Sequence, residues 1–392
     1  RSEMKKIAES QTMRENGGSW LGRVDYDAYF DTSAYQDSMP LADALEILKT
    51  KDNFTPHNPY GISKGVIVPA ATFTMPIDTT KVNWVSLGSK PQSNFTIDLS
   101  QNSSGAIYRQ EIMIMEMLKN INDDGWKRPI YFAVTVGDFP LNLYNQLSLE
   151  GISYRIVPGQ LPASKVNTEV MFDNMVNKFK WGGANNPKVY LDENNQRMCR
   201  TFRMMFTKLA TSLIEEGKKE KALIVLDKCV EELPGNTVPR SSESLAIVDM
   251  YYDLGQKAKA EKIMDEILAR SEGALQWYAR LDRKDIIASS LDIRENLDTE
   301  IRALDVYQRY DRDKYEALLE KSMNRTEMFL SNQVSFDDRS HPLDLYWSIT
   351  LRGYMTEKDT VKKKQDYSAW ERTAGMMQKY NKELLQKYQR EN

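Results

Sequence analysis

Histidine and cysteine are nearly absent, with two of each in 392 residues. That scarcity excludes a multi-histidine metal site and a disulfide framework, and the two cysteines, Cys199 and Cys229, are not spaced for zinc. His57 and His341 are the only imidazoles for a Ser-His-Asp or Cys-His arrangement, and their settings, Thr-Pro-His-Asn-Pro and Ser-His-Pro, read as surface loops. A dominant charge is missing too. The 53 basic and 56 acidic residues leave a net charge of −3, so no global basic field exists to hold nucleic acid or anionic lipid. No apolar run approaches the roughly 18 residues of a spanning helix, and the N-terminus lacks a charged region followed by an apolar one. Beginning on Arg1 rather than Met, the chain reads as a trimmed piece of a longer protein. Neither a Walker A loop, a dinucleotide fingerprint nor a Gly-x-Ser-x-Gly elbow occurs. The carboxylate pairs Asp123-Asp124 and Asp311-x-Asp313 lack a calcium-loop pattern and read as solvated surface. No catalytic residue, metal ligand or cofactor is therefore assigned.

What is present falls into three blocks. Residues 1–50 are a polar lead-in with a break at Gly17-Gly18-Ser19, ending in a short amphipathic helix after Pro40. Residues 51–165 are turn-rich and form an α/β domain. Residues 95–99, Phe-Thr-Ile-Asp-Leu, alternate as a half-buried strand, and residues 107–121 form a helix without Gly or Pro. Residues 129–136 are nearly all β-branched or aromatic and apolar on both faces. That pattern predicts an interior strand of a covered, parallel sheet beside a second strand at 152–157.

Residues 166–392 read as helical throughout, with an internal repeat marked by Gly217 and Gly255, 38 residues apart. Leu209, Ala210, Leu213, Ala222, Leu226 and Cys229 recur as Ile247, Val248, Tyr251, Ala260, Met264 and Ile267 at the same offsets from each glycine. These offsets match a tetratricopeptide-like pattern of period about 34, the surplus falling in Pro-Gly-Asn-Thr-Val-Pro at 234–239. The repeats span about 203–236 and 241–274, and Cys229 falls on a core position as a buried free thiol. A third unit near 310–330 would place Ala317 at the small-residue position of its second helix. An apolar stripe from Tyr367 to Tyr388 marks a capping helix at about 361–390. The expected fold class is mixed: a small α/β (α+β) domain followed by an α-helical tetratricopeptide-like solenoid.

One cluster could bind a ligand. Trp126, Lys127 and Arg128 precede the 129–136 strand, and Tyr154 and Arg155 on the next strand could face the same edge. Basic and aromatic side chains so placed stack on a sugar or pair with a phosphate. Equally, Trp126 could close the core while the two cations meet neighbouring carboxylates.

Residues 126–133 read Trp-Lys-Arg-Pro-Ile-Tyr-Phe-Ala, and residues 149–158 read Leu-Glu-Gly-Ile-Ser-Tyr-Arg-Ile-Val-Pro. With residues 109–118 and Leu143-Tyr144-x-Gln146-Leu147, these phrases resemble the C-terminal extracytoplasmic region of the bacterial protein O-mannosyltransferase-like (DUF2723) membrane protein family. The resemblance covers at least residues 105–160. It implies a GT-C-like parent, with membrane-spanning helices carrying a lipid-phosphate-sugar-dependent site ahead of a soluble region on the periplasmic side of the inner membrane. The acidic residues of such a site belong to an early loop that nothing here matches, so the fragment itself is not expected to be catalytic. The implied role is accessory: the repeats bind an acceptor protein or partner subunit, and the chain works beside the membrane-spanning half of the same protein. The alternative is a tetratricopeptide-type scaffold that binds a peptide or partner protein in the cell envelope without sugar chemistry.

Overall fold

The computed structural model describes residues 28–30, 38–49, 66–100, 106–334, 336 and 341–391. The Gly17–Ser19 break and the His57 loop lie outside them. Contacts divide the chain after Phe179, somewhat beyond the expected boundary at 165. A mixed α/β (α+β) unit is followed by a run of helices.

In the first unit the strands are β1 (Ala28–Phe30), β2 (Met39–Pro40), β3 (Val66–Val68), β4 (Thr72–Pro76), β5 (Asn94–Asp98), β6 (Ala106–Ile107), β7 (Tyr131–Ala133), β8 (Leu147–Leu149) and β9 (Ser153–Ile156). They form three three-stranded sheets of order β3-β1-β6, β2-β4-β5 and β7-β9-β8. Period-2 patterning explains the middle sheet. Phe73 opposes Ile97 and Met75 opposes Phe95 on the buried face, while Thr72 and Thr74 oppose Asp98 and Thr96 outside. Helix α1 (Leu41–Lys49) buries Leu41, Ala44, Leu45 and Leu48, one stripe at helical spacing. Because that stripe joins the same core as β4 and β5, the end of the expected lead-in is part of this unit. Short α2 (Trp84–Leu87) follows β4, and α3 (Arg109–Asp123) buries Met115, Leu118 and Ile121. Glu111 closes the start of α3 by accepting from the Tyr108 N–H at 2.8 Å and the Leu141 N–H at 3.2 Å.

The apolar run at 129–136 corrects the parallel-sheet expectation. Strand β7 pairs with β9, as the 152–157 segment suggested, but antiparallel and at the sheet edge, with Tyr131 45% exposed and Phe132 half-buried. The reason is the connection. Residues 140–146 coil through left-handed Leu141 and Asn142 into β8, and β8 returns to β9 through a tight turn in which Gly151 holds φ +133. Such a path carries no crossover helix, and it leaves β7 and β8 on the two sides of β9, each antiparallel to it. Both faces of β7 are apolar because Phe132 packs on Phe139 at 5.7 Å while Tyr131 reaches Glu150 on the other side.

After α4 (Thr168–Phe172), the second unit contains α5 (Glu193–Glu215), α6 (Lys219–Glu232), α7 (Leu245–Asp253), α8 (Lys257–Tyr278), short α9 (Arg283–Ala288), α10 (Ser290–Tyr310), α11 (Arg312–Ser331), α12 (Pro342–Thr356), α13 (Thr360–Tyr380) and α14 (Lys382–Glu391). Helices α5/α6, α7/α8, α10/α11 and α12/α13 pair as hairpins, and their first arms touch in series. Gly217 and Gly255 hold φ 76° and 73°, and each turn closes identically: Lys218 and Gln256 N–H groups reach back to Leu213 and Tyr251 carbonyls at 2.8 Å. Ala210, Ala222 and Ala260 are fully buried, so the small side chains sit where the offsets required. Cys229 is buried and free, its thiol pushed up to about 12 by burial.

Three details differ from expectation. The α10/α11 turn needs no glycine because Asp311 caps α11 through the Lys314 N–H at 3.3 Å, and Ala317 is exposed while Tyr315 and Leu319 are buried. His341 is not a surface residue: it is 4% exposed and caps α12, its Nδ1 accepting from the Leu343 N–H at 3.2 Å, with Pro342 at the first helical position. The expected final helix is two helices, broken at Asn381, whose side chain caps α14 through Leu384.

Arg203 on α5 gave no signal in the sequence. It is 1% exposed and donates to the carbonyls of Leu233 (3.0 Å), Val238 (2.7 Å) and Pro239 (3.3 Å), to Glu243 Oε1 (3.1 Å) and to Ser244 Oγ (3.4 Å). The surplus residues between the repeats are wrapped around this one guanidinium.

Candidate functional site

The five side chains singled out at the end of α3 and on β9 do not share one edge. Trp126 follows Gly125 out of α3 in a left-handed conformation, φ 59°. Its amide closes the helix on the Ile121 carbonyl at 2.9 Å. Its indole is buried against Phe95 at 5.4 Å, and Nε1 donates to Asn122 Oδ1 at 2.9 Å. Lys127 is exposed, and Arg128 Nε pairs with Asp124 at 3.1 Å, one turn back in sequence. Tyr154 and Arg155 are neighbours on a strand and so point to opposite faces. Tyr154 meets Phe139 edge-on at 5.2 Å on the core side.

Arg155 lies on the other face with Tyr131 and Ser148. There it stands 3.8 Å from Glu150 Oε1. Glu150, 4% exposed, accepts from the Tyr131 hydroxyl at 2.8 Å and from Asn167 Nδ2 at 3.1 Å. Burial, then Glu150, pushes the Tyr131 phenol up to about 12. The phrase at 149–158 thus encodes a buried polar clamp at a hairpin turn, with its charge already matched.

A more open site lies in the helical unit. A groove of about 400 Å³ runs across α7, α10 and α12. Each helix contributes one stripe at steps of three or four: Leu245 and Asp249, with Ala246 beside them; Arg302, Asp305 and Arg309; Leu345, Ser348 and Arg352. Ala246, Arg302, Arg309, Ser348 and Arg352 are exposed, and Ile301, Val306 and Ile349 form the apolar floor. The charges are held in a lattice. Arg309 reaches Asp249 at 2.6 Å and Asp305 at 3.3 Å, and Arg352 contacts Asp305 and donates to Gln308 Oε1 at 2.8 Å. Arg302 pairs with Asp298 at 2.6 Å, so three arginines meet three aspartates and the charges around the groove balance. The sequence carried a signal for α10, namely Arg302, Asp305 and Arg309 interleaved with Ile301 and Val306. Which helices face it depends on the hairpins' stacking, and no spacing encodes that.

Among the described residues no group of histidine, cysteine, aspartate or glutamate can hold a metal, and His341, the histidine they include, is committed to its cap.

The family model described as TMEM260-associated domain 2 matches residues 6–175, less than half of the chain and within the span of the first unit. No curated protein and no solved structure matches the chain.

Proposed function

We propose that this chain is the non-catalytic, acceptor-binding region of a GT-C-like membrane glycosyltransferase, lying on the periplasmic side of the inner membrane. The repeats hold an acceptor polypeptide while the chemistry is done in the membrane-spanning half of the same protein. The observation that carries this reading is the groove across α7, α10 and α12, with exposed arginines and a serine over an apolar floor. Such a surface suits an extended polypeptide that lays apolar side chains on the floor and sets polar groups against the rim. The wording at 109–118, 126–133 and 149–158 supports the link to a glycosyltransferase-like parent, and the family match spans all three segments.

Two measurements test it. The purified chain, incubated with lipid-linked mannose and periplasmic extract, should label no protein. Label transfer that a substitution within this chain abolishes would place catalysis here and refute the reading. A photo-crosslinker at Ser348 in cells should capture polypeptide, and Arg309→Glu with Arg352→Glu should abolish both capture and glycosylation of the captured protein. Capture lost while glycosylation stays unchanged would favour a scaffold without sugar chemistry.

A further inference from the structure

The first unit has an open pocket of about 720 Å³ between α2 with its following turn and the segment at 160–163. Its two walls are bolted together. Lys90 and Gln160 exchange both backbone hydrogen bonds, at 2.9 and 3.0 Å. Beside them Gly159 is pressed so close that a Cβ there would lie 2.4 Å from the Lys90 carbonyl oxygen and 2.6 Å from Trp84 Cζ3. Only glycine allows this approach, so the pocket is preformed.

Trp84 is fixed from behind, its Nε1 donating to the Thr79 carbonyl at 2.9 Å, and it lines the pocket with the remaining ring. Val85, 93% exposed, and Pro162 extend the apolar rim. Two polar side chains stand around that ring, the exposed Lys90 ammonium and the exposed Gln160 amide, while the Ser89 Oγ is sealed inside the wall beside Gly159.

We propose that this pocket binds a hexose unit of a glycan. The chemistry narrows the choice. The lining contains no carboxylate, which removes cationic ligands, and a single lysine with no arginine fork is a poor phosphate clamp. The backbone at Lys90 and Gln160 is already paired, so this edge offers no strand addition to a peptide. What remains is an indole ring for the C–H face of a sugar, with an amide and an ammonium for its hydroxyl rim. The volume accommodates a mono- or disaccharide. The inference rests on this pocket alone, so the groove experiment and the sugar experiment can fail separately.

Seven tryptophans blur bulk fluorescence, so the test reads the Trp84 indole N–H and Gln160 amide signals by NMR during titration with methyl α-mannopyranoside, methyl β-glucopyranoside and mannobiose. Saturable shifts are expected with a dissociation constant on the order of 1 mM for at least one sugar. Lys90→Ala with Gln160→Ala should weaken binding about tenfold or more and leave the melting curve unchanged, since both side chains are exposed. Gly159→Ala, which pushes the walls apart, should abolish it. Absence of saturation at roughly 50 mM of every sugar on folded protein overturns the proposal. So does unchanged affinity in the double variant, or a proline-rich peptide that moves these signals where sugars do not.

Discussion

Replacing Arg203 by methionine keeps an unbranched apolar stem and removes every donor. Five acceptors then lose their partner, and three of them are main-chain carbonyls in the linker between the first two hairpins. Each buried acceptor left unsatisfied costs about 1–3 kcal/mol. The bonds to Leu233 and Val238 are buried, while Glu243 is partly solvated and can turn to water. Against this stands the cost of burying the guanidinium itself, which also draws its pKa below the ordinary arginine value, burial being the largest cause. Taken together, Arg203→Met should destabilise the helical unit by about 3–5 kcal/mol, the range for breaking one side of a buried charged network. Arg203→Lys should recover part of the loss, because one ammonium reaches fewer of carbonyls spread around a planar fork. The assay is urea denaturation followed by far-UV circular dichroism. Because the linker couples the first hairpin to the second, the variant should also split a single transition into two. A loss below about 1 kcal/mol with one unchanged transition would refute the reasoning, since it would mean the linker holds its shape without the arginine.

Glu300 is fully buried on α10 beside Arg325, and burial pushes its carboxyl up to about 7 from 4.5, with Arg325 opposing. Between those pH values the folded chain keeps a proton that the unfolded chain has lost, so this group's contribution to stability falls as pH rises from 4.5 to 7 and is level above. The difference in unfolding free energy between wild type and Glu300→Gln should therefore slope across that window, and parallel curves would rule the effect out. Phe132→Ala should cost about 1–2 kcal/mol by chemical denaturation, the value for a half-buried edge ring. A cost above about 4 kcal/mol would instead indicate the fully buried strand that the sequence suggests. Ala222→Leu should overpack the first hairpin by about 1–3 kcal/mol, seen as a lowered melting temperature, because Ala222 has no exposed surface to expand into. Finally, Cys199 and Cys229, both buried, should resist a thiol reagent in the native state and react at the rate of unfolding; rapid labelling of Cys229 would contradict its place in the core.

Local pattern alone determined the helical hairpins. Gly217 and Gly255 mark left-handed turns because only glycine takes that conformation without cost, and Ala210, Ala222 and Ala260 are small because helices meet there. Alternation at 95–99 likewise identified a half-buried strand, since the pleat ties sequence parity to one face. The same rule separates Tyr154 from Arg155, and divides the cluster around Trp126 between core, surface and the Glu150 clamp. Strand β7 shows where local pattern stops. Its composition suited an interior position, but its place at an edge followed from a connection that turns back through Leu141, Asn142 and Gly151. Arg203 reads as one more polar residue on an amphipathic helix until the linker folds over it, and the groove exists only where α7, α10 and α12 stand side by side. Periodicity records which face of one element is buried. Which elements meet is decided by packing between residues far apart in the chain, and spacing within a single element carries no trace of that energy.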